Sequence, residues 1–215
     1  SRARRRDIET IRGLTDRPCS AISGNSSYTA ARIGEVYGVK AGVLLPSVVS
    51  DEFPAEAGSD EPTGSQDIAA PYSVSVGRAG WVKGTWETVS MLAGSGVSLV
   101  HVGGGAAEDL VRLTQHAESC GVGLWIAPRL SSPEMASLIR SARAVVSMAH
   151  GEPFGLTPVE AFSVGTPALF VDEGGFRDTV IDGVNGRLLK RGDQAAWHSA
   201  LEQAGDAPTR ARWAG

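Results

Sequence analysis

The sequence predicts an α/β fold: a Rossmann-like, doubly wound parallel sheet. The first observation behind this is that, from Pro71 onward, short apolar runs alternate with stretches of helical spacing. Strands that alternate with helices make parallel pairs, and the intervening helices cover both faces of the sheet. The second is the frequency of glycine: 27 of 215 residues suit many tight connections and close backbone approaches. The third is an ordinary globular composition, 42% hydrophobic and 20% charged, which is enough to bury a core.

The elements follow in order. "PCSAIS", "SSYTAARIGEVYGV" and "AGVLLP" read as strand, helix and strand. "YSVSVG" is the first strand of the main repeat, followed by a helix from Lys83 to Leu92. "VSLVHVG" is a strand, and in "AAEDLVRLTQHAESC" Leu110, Leu113 and Ala117 recur at helical spacing. Then come "VGLWIAP" (strand), "SPEMASLIRSA" (helix), "RAVVSMA" (strand), "VEAFSVG" (helix) and "PALFVD" (strand). After "GGFRDTVIDG" and "GRLLK", an amphipathic helix runs through "DQAAWHSALEQAG". Between the leading unit and the main repeat, residues 50–70 form an acidic stretch. With its flanks it carries six acidic residues and no basic one, and it reads as a mobile loop. Residues 1–17, opening with Arg2, Arg4, Arg5 and Arg6, read as a linker, 18–205 as one domain, and 206–215 as a truncated tail.

A net charge of −4 implies no face for nucleic acid or an anionic membrane. Apolar runs such as "ARAVVSMA" fall short of the roughly 20 residues a transmembrane segment needs. Cys19 and Cys120 lack metal or redox spacing and read as buried free thiols of a cytoplasmic protein. His101, His116, His150 and His198 show no metal spacing and read as surface or strand-end residues. No metal ligands are predicted.

Four loops lie at the carboxyl ends of predicted strands, where open parallel sheets bind ligands. In Gly77-Arg78-Ala79-Gly80-Trp81-Val82-Lys83-Gly84, Arg78 and Lys83 flank a turn, an arrangement that suits a diphosphate. Gly103-Gly104-Gly105 permits a sharp turn, but Glu108 stands where a dinucleotide fingerprint needs its third glycine. "APRLSS" exposes backbone, with Arg129 and Leu130, where a base could sit. In "GEPFGLTPVE", Thr157-Pro158-Val159-Glu160 fits a capping box, which would explain Glu160 without a ligand. It leaves Glu152 and Gly155 unexplained. A helix N-terminus beside Phe154, Gly155 and Leu156 favours an oxygen-rich ligand, and a carboxylate accepts hydrogen bonds from sugar hydroxyls. The mixture of phosphate and polyol chemistry points to a nucleotide-sugar.

The stretch "GEPFGLTPVEAFSVGTPALFVDEGGFRDTVIDGVNGRLL", with seven residues between its two leading glutamates, resembles the signature of group 1, retaining, GT-B-fold glycosyltransferases. "VGRAGWVKG" is similar to that family's diphosphate loop, and "VHVGGG" to its following strand and turn. The resemblance runs in order through nearly the whole chain and is to the C-terminal, donor-binding domain. It implies that Arg78 and Lys83 bind the donor diphosphate and that Glu152, with backbone around Phe154, Gly155 and Leu156, holds the transferred sugar. Glu160 would bind ribose, in competition with the capping reading. The resemblance implies further a UDP- or GDP-linked sugar as co-substrate, no cofactor or metal, and an acceptor domain upstream. An epimerase or sugar phosphorylase on the same fold, or a non-catalytic binding subunit, are the rival readings. Two departures stand out: Pro46-Ser47-Val48-Val49 replaces the family's Pro-Gly-Val-Asp, and Asp178 stands where the family often has Glu.

Overall fold

The computed structural model describes residues 2–17, 20–47 and 68–213. The chain divides into two compact units, Ser1–Ser47 and Val48–Gly215. The acidic stretch and Cys19 fall outside the described residues, apart from the end of the stretch at Ile68–Ala70.

In the first unit, α1 (Arg2–Thr15) and α2 (Ser27–Tyr37) accompany two short parallel strands, β1 (Ser23–Gly24) and β2 (Gly42–Val43). The residues expected as linker are therefore helical through most of their length. Ser26 caps α2 by accepting from Thr29 N, and Gly38, at φ +69°, ends it. Arg12 Nε donates to Tyr37 O at 2.8 Å and ties α1 to the end of α2.

The second unit holds six parallel strands: β3 (Tyr72–Val76), β4 (Ser98–Val102), β5 (Leu124–Ile126), β6 (Val145–Ser147), β7 (Ala168–Val171) and β8 (Gly186–Leu189). Their order across the sheet is β5-β4-β3-β6-β7-β8. The order reverses between β3 and β6, which is the topological switch point of a doubly wound sheet. Helices α3 (Thr85–Leu92), α4 (Ala107–Cys120), α5 (Ser132–Ser141), α6 (Thr157–Ser163), α7 (Phe176–Thr179), α8 (Gln194–Gly205) and α9 (Ala207–Trp213) connect and flank the strands. Val74, Leu99, Val100, Val145, Val146, Leu169 and Phe170 are fully buried, as strands covered on both faces require. The strand in "GRLL" carries no alternation of its own. It completes the sheet by pairing with β7 from Ala168↔Gly186 to Val171↔Leu189.

Several local expectations are corrected. Helix α3 begins at Thr85, because Trp81–Lys83 form a separate 3-10 turn that ends at Gly84, φ +60°. Within the stretch read as a tail, Ala207–Trp213 form helix α9: Trp213 is buried in the core, and its Nε1 donates to Gly183 O. Cys120 is a free thiol but only half-buried. His101 is a strand-end residue of β4 and is buried, with Nδ1 3.0 Å from Ser75 Oγ and Nε2 3.4 Å from Gly104 O. Desolvation lowers its pKa, opposed by the Gly104 carbonyl. The neutral ring thus accepts from Ser75 and donates to Gly104, linking the sheet core to the glycine loop after β4.

Candidate active site

The loops after β3 and β6 meet at the switch point. Lys83, in the 3-10 turn after β3, donates from Nζ to Glu152 Oε2 at 2.6 Å, across the crevice to the loop after β6. The backbones interlock here as well: His150 N donates to Val82 O at 2.8 Å. A partly exposed ion pair contributes about 0–1 kcal/mol to stability, so its effect is positional. The ammonium uses one of its three donors on Glu152, which leaves two for other oxygens. The second carboxylate oxygen of Glu152 has no hydrogen bond among the described residues. Arg78, on the same loop, is exposed, and its guanidinium has no partner among the described residues.

Glu152 rests on a backbone seat. Gly175 N donates to Glu152 O at 2.8 Å, and a Cβ at Gly174 would fall 2.6 Å from the same carbonyl. The Gly-Gly pair after β7 therefore sets how closely the β6 loop can lie. Phe154 and Gly155 are buried and Leu156 is exposed. Gly155, at φ +84°, lies against the Phe176 ring, which packs in turn on Phe170.

Beside this crevice a cavity of about 710 Å³ is lined by Gly103, Gly104, Ile126, Arg129, Leu130 and Met135, among others. It is joined to the cation loop by Gly77 N donating to Val102 O and Ala79 N to Gly104 O. Arg129 and Leu130 thus sit at the cavity, whereas Lys83, Glu152 and Gly155 cluster at the switch point.

The capping box expected at Glu160 does not form. Leu156 is the N-cap in αR conformation, Thr157 is already helical, and no side chain caps α6. The box that does exist is Ser131–Glu134 at the head of α5, where the same S-x-x-E spacing appears. Glu160 is half-buried, and its carboxylate has no hydrogen bond or ion pair among the described residues. Burial raises its pKa above the ordinary carboxylate value. A raised folded-state pKa means stability is greatest below the unfolded pKa and declines as pH rises through the folded one. Glu160→Gln should therefore be as stable as the wild type or more so at pH 7.5, with the difference vanishing near pH 4. Calorimetric unfolding at the two pH values checks this, and a loss of stability at pH 7.5 would reinstate a structural role.

A second cluster carried no sequence signal. Arg191 donates from Nη1 to Glu87 Oε2 (2.8 Å) and Met148 O (2.7 Å), and from Nη2 and Nε to the two oxygens of Glu173 (2.8 and 3.0 Å). Glu87 Oε2 also meets His150 Nε2 at 2.7 Å, and the His150 ring stacks on Trp81. The cluster gathers α3 and the ends of β6, β7 and β8.

 Gly77 takes no part in that cluster; the Lys83 methylenes lie in van der Waals reach of the position a Cβ there would occupy.

The model of the family described as glycosyl transferases group 1 matches residues 66–214. The chain belongs to that family. Among its relatives, the D-inositol 3-phosphate glycosyltransferase of Xylanimonas cellulosilytica is 32% identical over 140 residues, which is 62% of this chain and 34% of the relative. The chain spans about a third of the length of such curated relatives. Among solved structures, a sucrose-phosphate synthase from Thermosynechococcus elongatus aligns with a TM-score of 0.76 at 22% identity, over 96% of this chain and 54% of that one. The C-terminal domain of a group 1 family glycosyl transferase (LpcC) from Francisella tularensis gives 0.62 at 23% identity, over 78% of this chain and 93% of that one. Anabaena Alr3699/HepE in complex with UDP-glucose gives 0.72 at 18% identity, over 96% and 60%. The fold of this group 1 glycosyltransferase chain is thus the Rossmann-like half of the two-domain GT-B architecture.

Proposed function

We propose that this chain is the donor-binding domain of a retaining glycosyltransferase that takes its sugar from a UDP- or GDP-linked donor. The observation that carries the reading is the Lys83–Glu152 contact across the switch point, beside a cavity of about 710 Å³. Transfer breaks the bond between the anomeric carbon and the diphosphate oxygen. The electron pair leaves with the nucleoside diphosphate, and Arg78 and Lys83 meet the charge that develops there. No metal need share that task in this reading. Glu152 accepts from a hydroxyl of the transferred sugar and keeps its ring in place. Glu160, with an unused carboxylate at the head of α6, accepts from the ribose diol. The cavity lined by Arg129 and Leu130 receives the base. That UDP-glucose occupies a protein of the same fold supports a nucleotide-sugar here. In the reading, a further domain completes the acceptor site, and this chain alone binds donor without transferring.

The test is a titration of UDP-glucose, GDP-mannose, UDP and GDP into the chain, followed by NMR and calorimetry. Affinity near the millimolar level is expected, about 4 kcal/mol, because the crevice is open to water on one side. Raising the salt concentration should weaken it further, since the contacts are exposed charges. Absence of binding by any of the four ligands sinks the donor site. Turnover by this chain alone would overturn the two-domain reading, and conversion of the donor without an acceptor would turn it into an epimerase.

A further inference from the structure

We infer that the outer face of Trp81 is a platform on which a sugar or other polyol ring of the acceptor rests. This goes beyond the donor site but depends on the reading of the protein as a glycosyltransferase. Trp81 is 72% exposed, a large apolar surface to leave in water. It is also held in place. One face of its indole is covered by the His150 imidazole, with centroids 4.5 Å apart and planes within 8°. His150 is held by Glu87, Glu87 by Arg191, and Arg191 by both oxygens of Glu173. The exposed ring is thus the end of a chain of charged contacts that reaches from α3 and from the ends of β6, β7 and β8. An exposed side chain with no role beyond solvation has no need of such support.

A ring fixed before binding loses little conformational freedom when a ligand stacks on it. The free face is flat and electron-rich, and the apolar C–H face of a pyranose or cyclitol is complementary to it. The position fits the reaction. Trp81 and Lys83 are the first and last residues of one 3-10 turn, which sets their Cα atoms about 5 Å apart. Lys83 contacts Glu152, so the platform adjoins the candidate catalytic pair. The surroundings favour a polyol over a protein surface. Exposed Arg78 lies on the same loop, and His150 and Glu87 lie beneath the ring, whereas the cores of protein interfaces are depleted of charge.

The experiment uses the whole chain with 15N-labelled tryptophan and two probes, methyl α-D-glucopyranoside and myo-inositol, each with and without UDP. The Trp81 indole signal is assigned by its loss in Trp81→Phe. Either probe should shift that signal, and saturation transfer from protein to the probe's ring protons should fall at least threefold in Trp81→Ala. Trp81→Phe, which keeps an aromatic face, should retain most of the transfer. UDP affinity should stay within twofold in both variants. The proposal is overturned if neither probe moves the Trp81 signal or if Trp81→Ala leaves the transfer unchanged. It is also overturned if Trp81→Ala weakens UDP binding as much as loss of Lys83 does, for Trp81 would then be a prop for the loop. Failure of UDP to bind while a probe still reaches Trp81 would sink the donor reading and leave the platform standing.

Discussion

Lys83→Ala is expected to weaken nucleoside diphosphate binding by about 10- to 150-fold, which corresponds to roughly 1.5–3 kcal/mol for hydrogen bonds to a charged group. The substitution acts twice. It removes the ammonium that faces the crevice, and it leaves the Glu152 carboxylate without the partner that sits 2.6 Å away. An uncompensated carboxylate repels a diphosphate, so the combined loss belongs toward the upper end of that range. Adding Glu152→Gln to Lys83→Ala should restore part of the affinity, because the repulsion goes while the cation stays absent. A double-mutant cycle by calorimetry measures the coupling directly. Affinity of the single variant equal to that of the wild type would remove Lys83 from the donor site.

Gly84→Ala should cost about 2–4 kcal/mol of stability. Gly84 has φ +60°, where a Cβ costs about 1 kcal/mol, and that Cβ would lie 1.9 Å from the Met148 carbonyl oxygen. No rotamer relieves a clash with backbone, so the β3 and β6 loops must separate, at about 1–3 kcal/mol more. At 2–4 °C per kcal/mol for a domain of this size, the melting temperature should fall by about 4–16 °C. Because the same separation pulls Lys83 from Glu152, diphosphate affinity should fall along with stability. A melting temperature within a degree of the wild type would show that the loops yield freely at this point.

Much of the sheet was legible because its strands are buried on both faces and so read as uninterrupted apolar runs: "VSLVHV" and "PALFVD" need no neighbours to be recognised. "GRLL" was harder, because Gly186 and the half-buried Arg187 break the pattern, and only pairing with β7 makes it a strand. Glu160 shows the limit of a local rule. Thr-x-x-Glu has capping spacing, yet Leu156 already sits in αR, so the helix starts one residue early and the box has no cap. The rule does describe Ser131–Glu134. At the site, Lys83 and Glu152 were legible as residue types but not as a contact. Their meeting depends on the order of β3 and β6 in the sheet. The Trp81–His150 stack and its supports are illegible for the same reason: each partner comes from a different loop.

The reach of Arg191 bears on how the protein is made. It bonds Glu87 across 104 positions of sequence. At the usual pace of synthesis, 5–20 residues per second, a ribosome adds that span in about 5–20 s. Through this interval the cation loop and α3 exist without the guanidinium that will join them to the later strands. Contacts of such long range form late and slowly. The binding face is therefore among the last parts of a newborn chain to mature, and during that delay Trp81 is an unsupported apolar surface on which chaperones can act.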